Sequence, residues 1–453
     1  MAAADISRTN GTATNNLKWT YSAWLKRGVL GTNQAIATTR TGTSGPYTNI
    51  IINNSDRINI YGPNTSSLND YNYQTTRYFR DVGAWYHLVV AFDCTLAAAG
   101  DRLRIYINGV EETSFVTETN PTQNNTYTMN YTGYTFMVGA RTDDSEYWTG
   151  DMSHVQFVDG LQLTPTEFGE TDSTSGIWKI KVDAYGTPGN NGFFLKMEDR
   201  TNLDLDSSSN AHTMTTSGTL TATYDNPSNN FCTMNPLDNY YQSATFSNGN
   251  NTTLIATAVA CYSTGTLGMT AGKWYWEIRG TTNTGGFQVL PGIAGRLNTS
   301  TTEQELGEAV DTYGYYSSNG DSYNNATGTS YGDTFAADDI IGVAVDLDNN
   351  KLYFSKNGTW QDSGDPTSGA TGTGAISLMA ASATFLGAYF PAFTGGWGGS
   401  VGHYGQFNFG NGYFGTTAVS STNADDAGIG SFEYDVPTGY YALCTKNIKA
   451  YGG

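Results

Sequence analysis

Carboxylates, histidines, cysteines and grouped aromatics are the residues of this 453-residue chain that could do chemistry. Cleaving a glycosidic bond takes two carboxyl groups about 5–9.5 Å apart, which on a strand means acids two or four residues apart on one face. The arrangement Glu-x-Asp-x-x-Glu within an apolar strand, which would supply them, does not occur. Glu303-Gln-Glu-Leu-Gly-Glu308 has the wrong central residue and lies in a polar, Thr-rich stretch, while Asp346 and Asp348 flank a turn, where aspartate serves the reversal itself. His87, His154, His212 and His403 have no second His or Cys at ligand spacing, so neither a zinc site nor a nucleophilic triad is encoded locally. His87 and His154 fall in strand-like runs and are expected to be packed or at the surface. Cys94, Cys232, Cys261 and Cys444 are far apart and read as free, mostly buried thiols.

Calcium is less constrained, because its oxygen ligands can come from loops without a fixed spacing. Asp143, Asp144 and Glu146 form one acidic cluster. Asp204 and Asp206 open a second, Asp204-Leu-Asp-Ser-Ser-Ser-Asn210, which starts like a calcium loop but lacks its central glycine and closing glutamate. These five are the candidate ligands, with solvated acidic loops as the alternative; no other cofactor is expected. For binding, the candidates are aromatics in stretches that read as loops: Tyr71, Tyr73, Tyr78, Tyr147, Trp148, Tyr315, Tyr316 and Trp397. Sugar rings present apolar faces edged with hydroxyls, so aromatic rings beside Asn, Asp and backbone amides suit them. Packing between subunits is the competing reading of the same residues.

The elements that must position these residues are strands. With 54 Gly, 31 Tyr, 20 Phe and 9 Trp and only 14% charged residues, the composition favours strands and tight turns over helices. Ile340 to Leu347 and Leu352 to Phe354 are apolar runs joined by Asp348-Asn-Asn350, a hairpin that ends at Asn357-Gly358. The same pattern occurs earlier, where Trp85 to Asp93 is followed by Arg102-Leu-Arg-Ile-Tyr-Ile-Asn-Gly109. Two copies of one supersecondary unit predict two domains of one type. Leu17, Trp19, Tyr21, Ala23 and Leu25 alternate against polar neighbours in a two-faced strand, and Lys273-Trp-Tyr-Trp-Glu-Ile-Arg279 alternates likewise. Pro63 to Arg80 reads as a long polar and aromatic loop. Thr164-Pro-Thr-Glu-Phe168 is the clearest helix start, with Thr164 as cap and Glu167 completing a capping box. The expectation is all-β: two tandem antiparallel β-sandwiches of the jelly-roll kind with minimal helix, spanning 1–225 and 226–415, then a returning strand or tail over 416–453.

A net charge of −19, with 22 Lys and Arg spread along the chain, argues against a nucleic-acid partner. No apolar run approaches the roughly 18 residues that cross a bilayer, so no membrane insertion is expected. Met1-Ala-Ala-Ala-Asp5 lacks the basic and apolar regions of a signal peptide, so conventional secretion is not expected either.

Trp274-Tyr-Trp-Glu-Ile, Ile341-Gly-Val-Ala-Val-Asp-Leu-Asp, Leu352-Tyr-Phe-Ser-Lys-Asn-Gly, Tyr389-Phe-Pro-Ala-Phe393 and Phe407-Asn-Phe-Gly410 resemble, in order, the strands of a SPRY domain, over about 230–415. The first half resembles a laminin-G-like, concanavalin-A-type jelly roll, through Trp19-Thr-Tyr-Ser-Ala-Trp-Leu-Lys-Arg, Trp85-Tyr-His-Leu-Val-Val, Arg104-Ile-Tyr-Ile-Asn-Gly and Leu163-Thr-Pro-Thr-Glu-Phe-Gly. The pair, joined through Asp225 to Asp238 and ending in Gly439-Tyr-Tyr-Ala-Leu-Cys-Thr-Lys-Asn, is similar to structural proteins of tailed bacteriophages, notably marine ones. That resemblance implies a non-enzymatic virion component made in the host cytoplasm. The expected form is a fibre or receptor-binding appendage that contacts other virion proteins and host surface polysaccharide, homo-oligomeric with a trimer favoured. A head decoration protein and a capsule depolymerase are the alternatives.

Overall fold

Asn108-Gly109 and Asn357-Gly358 close the two related hairpins in the same way. Both residues of each turn have positive φ, 50° and 82° in the first and 47° and 81° in the second, the backbone of a type I′ reversal. Each asparagine side chain then reaches back to the first strand, accepting from His87 N and from Ile340 N at 2.8 Å. The repeated sequence is one local structure made twice, once in each of two units, Met1–Ala222 and Thr223–Gly453. The computed structural model describes residues 3–42, 45–64, 67–141, 143, 145–238, 244–255, 260–282, 287–299, 304–395 and 402–452.

The first unit is a sandwich of two antiparallel sheets. One has eight strands, in the spatial order Phe115–Thr119, Ser67–Thr75, Ile58–Asn64, Tyr47–Ile52, Gln34–Arg40, Thr135–Val138, Asp5–Thr9 and Thr215–Ser217. The other has six, Phe193–Leu195, Asp151–Asp159, Lys18–Lys26, Trp85–Asp93, Leu103–Ile107 and Val110–Glu111. Alternation sends Ile50, Ile52, Ile58, Ile60, Phe136 and Val138 from the first and Trp19, Tyr21, Leu88, Val90 and Phe92 from the second into a shared core. Trp19 stacks on Phe92 with ring centres 5.1 Å apart. The stretch Pro63 to Arg80, expected as a loop, instead supplies the strand Ser67–Thr75.

Lys18–Lys26 is the two-faced strand the sequence predicts, yet Ser22, Trp24 and Lys26 on its outward side are buried too. Residues 160–190 fold back over that side, where Phe168, Leu163 and Tyr185 pack on Val89, Ala91, Tyr106 and Val158. Trp178 donates from Nε1 to His87 Nδ1 at 2.9 Å, and His87 Nε2 therefore gives its proton to Ser22 Oγ, also at 2.9 Å. His87 lies stacked near Trp24 and Trp178. It is a packed core histidine, as its strand position suggests.

The second unit pairs a nine-stranded sheet with a six-stranded one. The larger is built around Lys273–Thr282, flanked by Ile340–Asp346 and His403–Asn408. The smaller runs Cys261–Thr264, Phe390–Gly395, Val289–Ala294, Thr312–Tyr315, Asp321–Asn324 and Thr327–Ser330. Trp274, Trp276, Ile278, Val343, Val345, Leu352 and Phe354 face the core between them. On the outward side of the larger sheet, Tyr275, Ala344 and Tyr353 are covered by Phe432, Tyr440, Ala442 and Cys444. The C-terminal stretch is thus part of this sandwich: Tyr441–Ala442 pairs in parallel with Trp274 and Tyr275, and the chain ends in the α-helix Thr445–Tyr451. Between Ser377 and Phe390 the backbone makes a 3-10 turn, Ala381–Ala383, and Tyr389 forms a single bridge with Met269. Thr164-Pro-Thr-Glu likewise makes a single 3-10 turn, Pro165–Glu167, and Thr164 Oγ1 contacts Thr166 Oγ1 instead of capping.

Both units are therefore all-β sandwiches, with minimal helix. Among the described residues no helix is long and apolar enough to cross a membrane, and the four cysteines are buried and free.

Candidate functional site

The outward face of the eight-stranded sheet carries a set of polar and aromatic side chains in register. Register sets Thr38, Asn49, Tyr61 and Asn72 in one row across four adjacent strands. Arg40 and Tyr47 form a row on one side of it, and Ile51, Asn59 and Gln74 a row on the other. The cause is a period of two: in Tyr47–Ile52 and Ile58–Asn64 the isoleucines 50, 52, 58 and 60 turn inward, so Tyr47, Asn49, Asn59 and Tyr61 turn outward.

Asn49 forms the floor. It is 0% exposed, donates from Nδ2 to Tyr61 Oη at 2.8 Å, and has no partner for Oδ1. Tyr61 Oη accepts that bond and keeps its own proton to give; burial raises its pKa, which keeps the phenol neutral. Tyr47 meets Tyr61 edge-on, ring centres 6.1 Å apart, with the Arg40 guanidinium 5.3 Å above the Tyr47 ring. Beyond Tyr61, Asn59 Nδ2 donates to Asn72 Oδ1 at 2.7 Å.

One edge of the face is framed by Arg141, whose fork holds Asp143 at 2.8 and 2.6 Å and whose remaining arm reaches Glu146 Oε1 at 3.0 Å. Arg40 Nη1 adds a second cation to Asp143 at 3.5 Å. The Arg141 fork holds the Asp143 carboxyl well below the usual carboxylate range. Glu146 Oε2 and Arg40 Nε are buried without partners. The result is a bed of amides, phenols and guanidinium groups, suited to a polyhydroxylated ligand whose ring faces can lie on tyrosine.

The candidates from sequence are distributed differently from expectation. Tyr71 and Tyr73 are core residues, because the strand period that turns Asn72 outward turns both tyrosines inward, onto Phe92, Tyr127 and Phe115. Tyr315 is also buried, stacked on Phe354 beside Phe335. Tyr316 is half-buried against Tyr323. Trp148 is half-buried, packs on the core and donates from Nε1 to Asp151 O; Tyr147 precedes it, next to Glu146. Tyr78 is 49% exposed and lies between two arginines. Trp397 and Asp144 lie outside the described residues.

The proposed calcium ligands have protein donors instead. Asp143 and Glu146 pair with Arg141. Asp206 is buried and accepts from the backbone nitrogens of Phe194, Ser208 and His212, each at 2.8–2.9 Å, and Asp204 accepts from Thr216 Oγ1 at 2.7 Å. Among the described residues no group of three or more His, Cys, Asp or Glu is placed to hold a metal. Sequence reasoning missed Arg40, Tyr47, Asn49, Asn59, Tyr61, Asn72 and Arg141. The signal was present in Arg57-Ile-Asn-Ile-Tyr61, where the residues opposite the isoleucines are Arg, Asn and Tyr rather than the Thr, Lys or Glu of a bare solvent face.

Residues 2–168 match the model of the concanavalin A-like lectin/glucanases superfamily, and residues 273–412 match the SPRY domain. The chain carries a concanavalin A-like (laminin G) domain followed by a SPRY domain. It is similar to Ran-binding protein 9 of Danio rerio, 44% identical over 48 residues that cover 10% of this chain and 8% of that protein. The chain thus spans less than a tenth of the length of the curated relatives it matches. Among solved structures it is similar to the SPRY domain of human HERC1, with 16% identity, a TM-score of 0.28, and 37% of this chain and 92% of that one covered. A candidate carbohydrate binding protein from Bacteroides ovatus matches with 16% identity and a TM-score of 0.32, over 48% of this chain and 57% of that one.

Proposed function

We propose that the chain is a non-catalytic recognition protein that holds glycan on the outward face of its eight-stranded sheet, as a fibre or receptor-binding appendage of a bacteriophage virion. The observation that carries the glycan reading is the outward row Asn49, Tyr61 and Asn72 with Tyr47 and Arg40 beside it, which sets amides, phenols and a guanidinium together on one sheet face. The lectin description of the matching model supports the same reading.

Binding rather than cleavage is supported by the carboxylates of this face. Glycoside hydrolysis needs one carboxyl that lends a proton, whereas Asp143 and Glu146 are tied to one guanidinium and Asp143 is held ionised. The virion setting, the trimer and the partner virion proteins rest on the resemblance of the paired domains and their joining and closing segments to phage structural proteins.

Purified protein incubated with a panel of bacterial surface polysaccharides tests the proposal. Saturable retention without shortening of the polymer is expected, and Tyr61→Ala should weaken it at least tenfold. Shortened polymer would mean a depolymerase. Retention of no polymer would leave a structural decoration protein, and sedimentation at a size other than three chains would remove the trimer.

A further inference from the structure

The glycan-binding face continues past Asn59 into a cationic end. Arg57 precedes the strand Ile58–Asn64 on the same side as Asn59 and Tyr61, so the three side chains line up over about 13 Å. Its guanidinium donates to the carbonyls of Thr75 and Thr76, both at 2.9 Å, and to Tyr78 Oη at 2.6 Å. No carboxylate lies within ion-pair distance of it among the described residues.

The Tyr78 ring lies between two cations, Arg57 at 4.2 Å and Arg80 at 4.4 Å from its centre. Arg80, with a side chain 53% exposed, reaches Asp56 through Nε at 2.9 Å. Arg77 pairs with Glu112 at 3.1 Å, and Asp56 is shared with the buried Arg27 at 3.3 Å. Four arginines therefore surround two buried carboxylates, and the nearby Asp81 turns back to the backbone nitrogen of Gly83. With Asp81 counted, four arginines meet three carboxylates, and the one surplus positive charge is carried by Arg57, whose guanidinium lies over the exposed Tyr78 ring.

We infer that Arg57, Tyr78 and Arg80 bind an anionic substituent, a sulfate or carboxylate carried on a sugar ring, at one end of the glycan face. The inference rests on the glycan reading of that face and specifies its ligand class. A guanidinium fork matches the paired oxygens of either anion, and the Tyr78 ring, in contact with both guanidinium groups, holds them at this end of the face. The opposite end, at Arg40 and Arg141, is already neutralised by Asp143 and Glu146. The face is thus polarised along its length, with neutral hydroxyl contacts around Asn49 and an anion contact at Arg57.

The full-length protein should be passed over immobilised dextran sulfate, carboxymethyl dextran and neutral dextran, with inorganic sulfate as competitor. Expected is at least tenfold stronger retention on one or both anionic polymers than on neutral dextran, with the gap closing as salt is raised. Arg57→Gln and Arg80→Gln should each reduce that gap several-fold without lowering retention on neutral dextran. Should Arg80→Gln fail to fold because Asp56 loses a partner, Arg57→Gln carries the test, since it leaves no carboxylate behind. The inference is overturned if the anionic polymers are held no better than the neutral one, if the gap survives Arg57→Gln, or if inorganic sulfate at equal sulfate concentration abolishes retention. Tyr61→Ala separates the two readings. Loss of neutral retention with no anionic gap in the wild type retains the glycan face and removes the anion site. An anionic gap abolished by Arg57→Gln, with retention on neutral dextran unchanged by Tyr61→Ala, retains the anion site and removes the glycan face.

Discussion

Single carboxylates fix the loops of both units. Asp159, buried at the end of its strand, accepts from Thr14 N at 2.7 Å, Asn191 N at 3.0 Å, Asn15 N at 3.2 Å and the Asn130 amide. It ties three distant segments to the Asp151–Asp159 strand. Hydrogen bonds to a charged group are worth roughly 1.5–3 kcal/mol each, and a donor left unsatisfied carries its own penalty. Asp159→Ala should therefore lower the stability of the first unit by about 3–5 kcal/mol, read as a shift of one calorimetric transition with the other unmoved. Nothing in the sequence around Asp159 marks this role, because its partners lie more than 25 residues away along the chain. The same limit hid the sheet face proposed to hold glycan. Asn49, Tyr61 and Arg141 are ordinary residues of separate strands and become a site only through register. By contrast, the role of Asn108 and Asn357 was legible, because a type I′ turn is decided by two adjacent residues.

At the scale of elements, local alternation was a sound guide to where strands run and a poor one to which faces are covered. Lys273 to Arg279 and Lys18 to Lys26 form the strands their patterns suggest, but in both the polar side is buried by a later segment. Glu277 shows what that means in the second unit. It is wholly buried and accepts from Glu433 N at 2.9 Å, Tyr434 N at 2.8 Å, Asn408 Nδ2 at 3.0 Å and Tyr275 Oη at 3.1 Å. Two of those four donors belong to the C-terminal segment, which also supplies Phe432, Tyr440 and Ala442 to the outward face of the sheet. Composition past residue 415 turns small and polar, which reads as a tail, yet Phe432 is 0% exposed. A large buried aromatic is worth roughly 3–5 kcal/mol against alanine. A chain ended after Thr422 loses that aromatic and leaves Glu277 short of two donors. Its second calorimetric transition should disappear while the first persists; an unchanged pair of transitions would show the segment to be dispensable.

At the scale of the whole molecule, the two units should answer acid differently. In the first, burial pushes His87 down to about 3 and His154 to about 4, so both stay neutral in the fold, whereas in the unfolded chain they take a proton near 6.5. The unfolded state then binds more protons as pH falls below about 6.5, and stability is lost. At pH 5 the loss is about 2 kcal/mol for each histidine. In the second unit the sign reverses: burial pushes Glu277 up to about 7 despite its four donors, so between pH 7 and about 4.5 the folded state holds a proton that the unfolded state releases. Lowering pH through that window adds stability, up to about 3 kcal/mol. His403, also pushed down by burial, offsets part of the gain. Acidifying from pH 7 to 5 should therefore lower the transition that Asp159→Ala identifies as the first unit's by about 10 °C and move the second much less. In Glu277→Gln the compensation is gone, and the second transition should fall with acid as well. A second transition that responds identically in wild type and Glu277→Gln would show that the carboxyl does not titrate in this range, and that its four donors outweigh its burial.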